Sequence, residues 1–140
     1  RYERASLYPP ELFQKYIQLL GINKEDNVVV YGRGHSGGML FAARAWWLLK
    51  MYGMRNVVVL EGGIERWKKD GGQTTSGIES SEVQEKGDWT ASPLRSDLII
   101  SYEELEEKGH FDRLDQVNFL DCRPHEEYRG TKPLAFPPNG

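Results

Sequence analysis

The residues best suited to chemistry occupy a glycine-rich loop that follows a short apolar run, Val28–Tyr31. A strand that ends in such a loop at the start of a helix leaves backbone N–H groups without helical partners. These N–H groups and the helix dipole together attract anions. The sequence therefore predicts an anion-binding loop formed by Gly32, Arg33, Gly34, His35, Ser36 and Gly37. The loop contains no cysteine and so offers no thiolate nucleophile.

Three interpretations of this loop compete. The G-x-G-x-x-G spacing that starts at Gly32 matches a dinucleotide fingerprint, with Glu61 placed as the ribose-binding acid. The G-x-S-x-G spacing around Ser36 matches a hydrolase nucleophile elbow, which requires a later acid and a later histidine. In the third interpretation the glycines have a structural role only, since they let a helix start close to a sheet.

Apolar periodicity predicts alternating helices and strands around the loop. The predicted elements are a helix over Glu11–Leu20, a strand over Val28–Tyr31, a helix over Gly38–Tyr52, a strand over Val57–Leu60 and a helix over Ile64–Asp70. Short, continuous apolar runs are typical of strands buried in a parallel sheet. Their alternation with helices predicts an α/β fold with a parallel sheet.

The helix after the loop is apolar around most of its circumference, so we expect it to be covered on several sides. Ala43, Trp47 and Met51 share one stripe of this helix. Trp46 and Trp47 lie about 100° apart on the helix, so they face different neighbours, and core or sheet packing is predicted for both. Arg44 is predicted to be an internal ion-pair partner or a surface residue whose aliphatic stem packs against the protein.

The second half of the chain is less regular. Polar residues without periodicity predict a linker over Gly71–Gly87. The sequence after the linker predicts a strand over Leu98–Ile100 and a helix capped by Ser101, with Glu104 in a capping box. A strand over Val117–Leu120 and a loop over Asp121–Gly140 are predicted to follow. These few elements are too little to bury a core alone.

Composition narrows the classes of function. The net charge of −3 gives no electrostatic reason to expect a nucleic-acid or membrane partner. One cysteine excludes an internal disulfide and fits a reducing interior. No metal is predicted, and no cofactor is predicted outside the alternative interpretation as a dinucleotide-binding loop. The first residues do not form a signal peptide, and the absence of an initiator Met predicts a processed or trimmed product.

Several separated motifs resemble, in order, the rhodanese family of sulfurtransferases, and in particular its two-domain thiosulfate and 3-mercaptopyruvate members. The matching stretches are Pro10-Glu11-x-Phe13, Leu20-Gly21-Ile22, Arg44-x-Trp46-Trp47-x-x-Lys50-x-Tyr52-Gly53, Val57-x-Val59-Leu60-x-Gly62-Gly63-x-x-x-Trp67, Trp89-Thr90-Ala91 and Leu120-Asp121-Cys122-Arg123-x-x-x-Glu127-Tyr128-x-Gly130. The resemblance covers nearly the whole chain apart from the linker.

The resemblance implies a rhodanese-like parallel sheet flanked by helices, present as incomplete domain halves. It assigns residues 1–72 to the later part of a non-catalytic first domain, residues 73–88 to a linker, and residues 89–140 to the opening of a catalytic domain. In this family a cysteine in the strand-to-helix loop carries sulfur as a persulfide. The corresponding position here is Tyr31 or Gly32, and neither can hold sulfur. The family's catalytic loop and its His-x-Pro-Gly-Ala segment are expected beyond residue 140.

Arg123 is the one residue to which the resemblance gives a role, as a contact for the anionic substrate. No catalytic residue is predicted. Cys122 lies beside Arg123, which could lower the pKa of the thiol, but it is outside the family's catalytic loop, and a structural thiol is predicted. Asp121 and Arg123 could also pair with each other's neighbours and simply hold the loop.

The resemblance thus implies that the intact parent transfers sulfur from thiosulfate or 3-mercaptopyruvate to cyanide or a thiol, while this chain alone is inactive. Its expected partners are a small sulfur donor and a thiophilic acceptor, with self-association of the shortened chain as a further possibility. A mitochondrial or cytoplasmic location is expected. The alternatives are a non-catalytic anion-binding or scaffold module of the same family and a dinucleotide-binding domain.

Overall fold

The computed structural model describes residues 7–77, 85–109, 112 and 116–133, without the side chains of His35 and Ser36. These residues form two compact units, which divide between Ile99 and Ile100. The first unit contains α1 (Pro10–Leu19), β1 (Val28–Val30), a 3₁₀ turn (His35–Gly38), α2 (Met39–Met51), β2 (Val57–Val59), α3 (Gly63–Lys69) and a second 3₁₀ turn (Ser96–Leu98). The second unit contains α4 (Tyr102–Glu107) and α5 (His125–Tyr128).

The five predicted elements of the first unit are all present, with ends that differ by at most one residue. β1 and β2 pair in parallel, with Val28 opposite Val57 and Val30 opposite Val59. The chain crosses between them through α2, as a β-α-β unit requires. The predicted α/β fold with a parallel sheet flanked by helices is confirmed.

The two strands are buried on one face only, which corrects the prediction of fully buried strands. Val57 is 3% exposed and belongs to the core, and Val28 and Val30 pack against that core. On the opposite face, Val29 and Val58 are 53% and 58% exposed. Side chains alternate across a strand, so a sheet with helices on one side leaves every second valine in solvent.

α2 is also less covered than its composition predicts. Leu40 and Phe41, in its first turn, are each 75% exposed. The buried positions are Ala42, Leu49 and Met51, whereas Ala43, which was expected in the buried stripe, is exposed. The prediction of cover on several sides was therefore wrong for the start of α2, whereas residues 44–51 are all buried or half-buried.

The core of the first unit joins α1, the end of α2 and a residue far along the chain. Its buried members are Phe13, Ile17, Leu49, Met51, Tyr52, Met54, Val57 and Trp89. The rings of Phe13 and Tyr52 stack at 4.0 Å, and Trp89 meets Phe13 edge-on at 6.2 Å. The Tyr52 hydroxyl donates to the Tyr8 carbonyl at 2.6 Å, and burial raises the pKa of Tyr52.

Residues 86–95, which we call the strap, run across α1 and the end of α2 through hydrogen bonds. The Gly87 amide donates to the backbone carbonyl of Gln18 at 2.9 Å. The side chain of Gln18 donates through Nε2 to the Trp89 carbonyl, also at 2.9 Å. The Ala91 amide donates to the Gln14 side chain at 3.0 Å. The motif that the resemblance assigns to the opening of a second domain thus packs in the first compact unit, while the domain assignment itself stays a prediction.

The described part of the second unit contains two short helices, and most of its residues are exposed. The capping box at the start of α4 is confirmed, because the Glu104 amide donates to Ser101 Oγ and the Ser101 amide donates to the Glu104 carboxylate, both at 3.1 Å. The predicted strands over Leu98–Ile100 and Val117–Leu120 were wrong. The first overlaps a 3₁₀ turn, and the second has no pairing partner among the described residues, with Leu120 86% exposed.

α5 was also missed, because it lies inside the predicted loop over Asp121–Gly140, of which residues 134–140 lie outside the described part. Residues 78–84 of the predicted linker are likewise outside it. Among the residues that the structure describes, no helix combines the length and apolarity needed to span a membrane.

Candidate functional site

The glycine-rich loop is closed by contact between its own two ends. A Cβ atom added to Gly32 would collide with the Gly38 carbonyl oxygen and would lie 2.9 Å from the Gly38 Cα. Gly38 has φ of +70°, and a Cβ there would collide with the Arg33 amide nitrogen. The end of β1 and the start of α2 therefore approach as backbone against backbone, which only glycine permits.

A second backbone contact joins the loop to the start of α3. A Cβ on Gly37 would lie 2.7 Å from the Gly62 carbonyl oxygen, and one on Gly63 would collide with the Gly37 carbonyl. The Ile64 amide donates to the Gly32 carbonyl at 3.1 Å. Two helix starts and one strand end thus meet in a single glycine cluster, consisting of Gly32, Gly37, Gly38, Gly62 and Gly63.

This cluster bears directly on the position where a sulfur-carrying side chain would have to sit. At Gly32 the volume that a side chain would need is filled by the backbone of Gly38. The Tyr31 side chain is 57% exposed and so is not enclosed by the loop. The loop as folded has no enclosed place for a thiol at either position.

The other predicted loop residues are placed as follows. Arg33 and Gly34 are exposed, and Gly34 has φ of +97° with open space around it. The backbone of His35–Gly38 forms the 3₁₀ turn. The side chains of His35 and Ser36, on which the hydrolase-elbow interpretation depends, lie outside the described part. In the described part of the chain, no group of His, Cys, Asp and Glu residues has the arrangement of a metal site.

Glu61 has an ionic partner on the surface. Its carboxylate lies 3.4 Å from Arg66 Nη1, and Arg66 Nε lies 3.4 Å from the Asp70 carboxylate. These three side chains, with Trp67, line a surface depression of about 480 Å³ beside α3. The described contacts therefore fit a satisfied turn residue better than a ribose ligand.

The tryptophan pair of α2 behaves as predicted. Trp46 Nε1 donates to the Val57 carbonyl at 3.1 Å, which ties the helix to β2. Trp47 lies under the Arg44 guanidinium, with 4.5 Å from Cζ to the ring centroid. A cation over an indole face is stabilising, so Arg44 packs on its own helix and does not project into the loop.

In the second unit, Arg123 is bound to Asp121 through both its backbone and its side chain. The Arg123 amide and Nε each donate to Asp121 Oδ1 at 2.9 Å, Nε also lies 2.9 Å from Oδ2, and Nη2 donates to Oδ2. The hydrogen bonds from Arg123 lower the pKa of Asp121 to about 2. The predicted pairing around the loop is thus a pairing of these two residues with each other.

Cys122 lies between these two residues and is exposed. Its Sγ is 4.0 Å from the Leu120 carbonyl oxygen, at the limit of a weak hydrogen bond. The thiol is therefore not packed in a core, and its structural role stays a prediction. Cys122 belongs to the second compact unit, and the glycine cluster belongs to the first.

Comparison with known proteins places the fold and the family. The family model described as "Rhodanese-like domain" matches residues 1–70, half of the chain. A protein named putative thiosulfate sulfurtransferase mpst-1 from Caenorhabditis elegans is 30% identical over 99% of this chain and 43% of its own length. Thiosulfate sulfurtransferase from Bos taurus is 37% identical over 86% of this chain and 38% of its own length.

A solved structure agrees with the fold. SseA from Escherichia coli, whose structure is titled as a 3-mercaptopyruvate sulfotransferase with the rhodanese fold, matches with a TM-score of 0.71 and 24% identity. The match covers 90% of this chain and 46% of SseA. The chain thus spans less than half the length of these relatives, and on the combined evidence of motifs, fold and family model it belongs to the rhodanese family.

Proposed function

We propose that this chain supplies a non-catalytic part of a rhodanese-type sulfurtransferase. The whole protein would transfer sulfur from thiosulfate or 3-mercaptopyruvate to cyanide or a thiol. A cysteine thiolate would attack the outer sulfur of thiosulfate, which releases sulfite, or the thiol sulfur of 3-mercaptopyruvate, which releases pyruvate, and so form a persulfide. The acceptor would then take the outer sulfur of the persulfide, cyanide as thiocyanate or a thiol as a new persulfide, and the cysteine thiolate would leave. Membership of the rhodanese family and the names of the relatives support this reaction.

The observation that carries the proposal is the glycine cluster. The position expected to hold the sulfur carrier is Tyr31 or Gly32. The Tyr31 side chain is 57% exposed, and the side-chain volume at Gly32 is occupied by Gly38. The single cysteine of the chain, Cys122, is in the other compact unit. A closed loop that positions two helices but has no room for a thiol fits a domain with a structural role that does not supply the nucleophile.

Arg123 is the proposed contact for the anionic end of the sulfur donor. A guanidinium presents N–H groups in a planar fork that matches sulfonate or carboxylate oxygens. Its side chain is 45% exposed and so can reach a ligand. This role was carried over from the family motif and is proposed on that ground.

The test is cyanide-dependent formation of thiocyanate by the purified 140-residue chain, with thiosulfate and with 3-mercaptopyruvate as donors. We expect no enzymatic turnover, and the same background rate from a Cys122→Ser variant. Turnover above background that Cys122→Ser abolishes would show that the chain carries its own nucleophile.

A second candidate is an anion-binding or scaffold module without sulfur transfer. It is favoured by one observation, namely that Arg33 is exposed on the loop that precedes α2. This candidate predicts sulfate affinity that an Arg33→Ala variant loses and an Arg55→Ala variant, also exposed but outside the loop, retains. Equal affinity of both variants would exclude the loop as the site.

A further inference from the structure

We propose that Asp121 is a positioning residue, which holds the Arg123 guanidinium in the orientation that meets an anionic sulfur donor. The inference rests on the proposed role of Arg123 as the anion contact and extends that site to a second residue. It concerns geometry, and it separates the residue that touches the ligand from the residue that orients it.

The contacts fix Arg123 at two points of its structure. Asp121 Oδ1 accepts from the Arg123 backbone amide and from Nε, each at 2.9 Å. Oδ2 accepts from Nε at 2.9 Å and from Nη2. One carboxylate therefore restrains both the local backbone and the far end of a long, otherwise mobile side chain.

This pairing also decides which edge of the guanidinium remains available. An arginine has five N–H donors in a rigid plane. Asp121 uses the edge formed by Nε and Nη2. The Nη1 group and the outer hydrogen of Nη2 lie on the other edge, where two parallel hydrogen bonds to a sulfonate or carboxylate can form.

The electrostatic effect of Asp121 works in the opposite direction, and this makes the proposal testable. A carboxylate beside the guanidinium reduces the positive potential that an incoming anion meets. If charge alone governed binding, removing Asp121 would strengthen it. If orientation governs binding, removing Asp121 weakens it, and an asparagine, which keeps only the Oδ1 acceptor and places an NH2 group against Nη2, has an intermediate effect.

The experiment is an NMR titration of the ¹⁵N-labelled full chain with thiosulfate, read at the side-chain Nε–H signal of Arg123. We expect Asp121→Ala to weaken binding by about 3- to 10-fold, the range of one modest hydrogen-bond contribution, and Asp121→Asn, which keeps the Oδ1 contacts but loses those of Oδ2, to have an effect between that of Asp121→Ala and the unmodified chain. The matched control is Asp97→Ala, which removes the partner of another arginine two residues away, Arg95, in the first unit. It is expected to leave thiosulfate binding unchanged.

The failure of this inference is distinguishable from failure of the proposed function. If Arg123→Ala abolishes binding but Asp121→Ala binds as tightly as the unmodified chain, Arg123 is the contact and Asp121 does not position it. An asparagine variant that binds thiosulfate more tightly than the unmodified chain would also overturn the inference, because the charge of Asp121 would then matter more than the orientation that it gives to Arg123. If Arg123→Ala binds normally, or if the unmodified chain does not bind, the proposed role of Arg123 fails first.

A second measurement needs no ligand. The heteronuclear NOE of the Arg123 Nε–H group reports how rigidly the side chain is held. It is expected to be high in the unmodified chain, lower in Asp121→Asn, which keeps only the Oδ1 contacts, and lowest in Asp121→Ala. A mobile Arg123 in the unmodified chain would contradict the proposal even where thiosulfate binding is weak.

Discussion

Gly32 and Gly38 lie backbone against backbone, at the point where β1 ends and α2 is about to begin. The Gly38 carbonyl occupies the place that a side chain at residue 32 would need. This contact explains how a rhodanese-family chain can keep the strand-loop-helix arrangement of its family while lacking a cysteine there. The loop is a packing junction, and its geometry excludes a thiol at that position.

The first prediction concerns this contact. Gly32→Ala should destabilise the chain by about 2 kcal/mol, because an extra methyl group must be forced into filled space. Gly34→Ala is the matched control, since its positive φ is strained but the space around it is open, and a loss of about 1 kcal/mol is expected. Urea unfolding followed by tryptophan fluorescence measures both. A Gly32→Ala variant that is no less stable than Gly34→Ala would contradict the closed junction.

The second prediction concerns the strap. Trp89 is 4% exposed and contacts Phe13, whereas Trp67 is 44% exposed. Trp89→Ala should cost about 3–5 kcal/mol, the usual loss for a large aromatic residue in a core. Trp67→Ala removes a side chain of the same type from the surface and should cost about 1 kcal/mol, chiefly its hydrogen bond to the Gln73 carbonyl.

Thermal unfolding monitored by far-ultraviolet circular dichroism compares the two variants. The strap belongs to the first unit if Trp89→Ala lowers its melting temperature far more than Trp67→Ala. Equal, small effects would mean that Trp89 does not pack where the structure places it.

The third prediction concerns the open face of the sheet. Val29 and Val58 face each other across the strand pair and are both more than half exposed. Exposed apolar sheet surfaces promote association, so we expect self-association of the chain at high concentration. The double variant Val29→Lys with Val58→Glu keeps a favourable cross-strand pair and removes the apolar surface.

Sedimentation velocity over a range of concentrations provides the measurement. The double variant should remain monomeric where the unmodified chain associates. A matched double variant on α2, Leu40→Lys with Phe41→Glu, shows whether any exposed apolar pair has the same effect. If only the α2 variant abolishes association, the sheet face is not responsible.

The fourth prediction concerns pH. The pKa of Asp121 is lowered from 3.8 to about 2 by hydrogen bonds from Arg123. A lowered carboxyl pKa means that the ion pair contributes its full stabilisation above about pH 4 and loses it as the pH falls through about 2. The Nε–H signal of Arg123 should therefore stay constant from neutral pH to about pH 4 and change only in stronger acid.

The pair of Arg95 and Asp97 provides an internal comparison for the pair of Arg123 and Asp121, because a hydrogen bond from Arg95 shifts the pKa of Asp97 in the same, downward direction. If the Nε–H signal of Arg123 changed with a midpoint near pH 3.8, the ordinary pKa of an aspartate carboxyl, the bidentate contact with Asp121 would be contradicted.

The features of the fold and the site that could be predicted from the sequence are those that depend on residues close together in the chain. The helix and strand pattern of the first unit followed from periodicity, and the capping box at Ser101 followed from spacing, because both depend on neighbouring residues. The exposure of Val29 and the packing of Trp89 depend on which distant elements are present. A run of three valines has the same sequence whether one face or both are covered.

The two wrong strands have a similar cause. Val117–Leu120 has the composition of a strand, but a strand exists only when another strand pairs with it. The glycine junction was foreseen as one of three interpretations of the loop, yet the sequence could not separate it from a ligand cradle. That distinction depends on the separation of the Gly32 and Gly38 backbones, which no spacing rule reports.

The measurement that tests the central claim most directly is the intact mass of the chain after incubation with thiosulfate and removal of excess reagent. The account predicts an unmodified mass, because the position of the sulfur carrier is Gly32 and Cys122 lies outside the loop. Gly32→Cys is expected to give the same result, since the backbone of Gly38 fills the site. A product heavier by one sulfur atom on Cys122, returned to the original mass by cyanide with release of thiocyanate, would contradict the account.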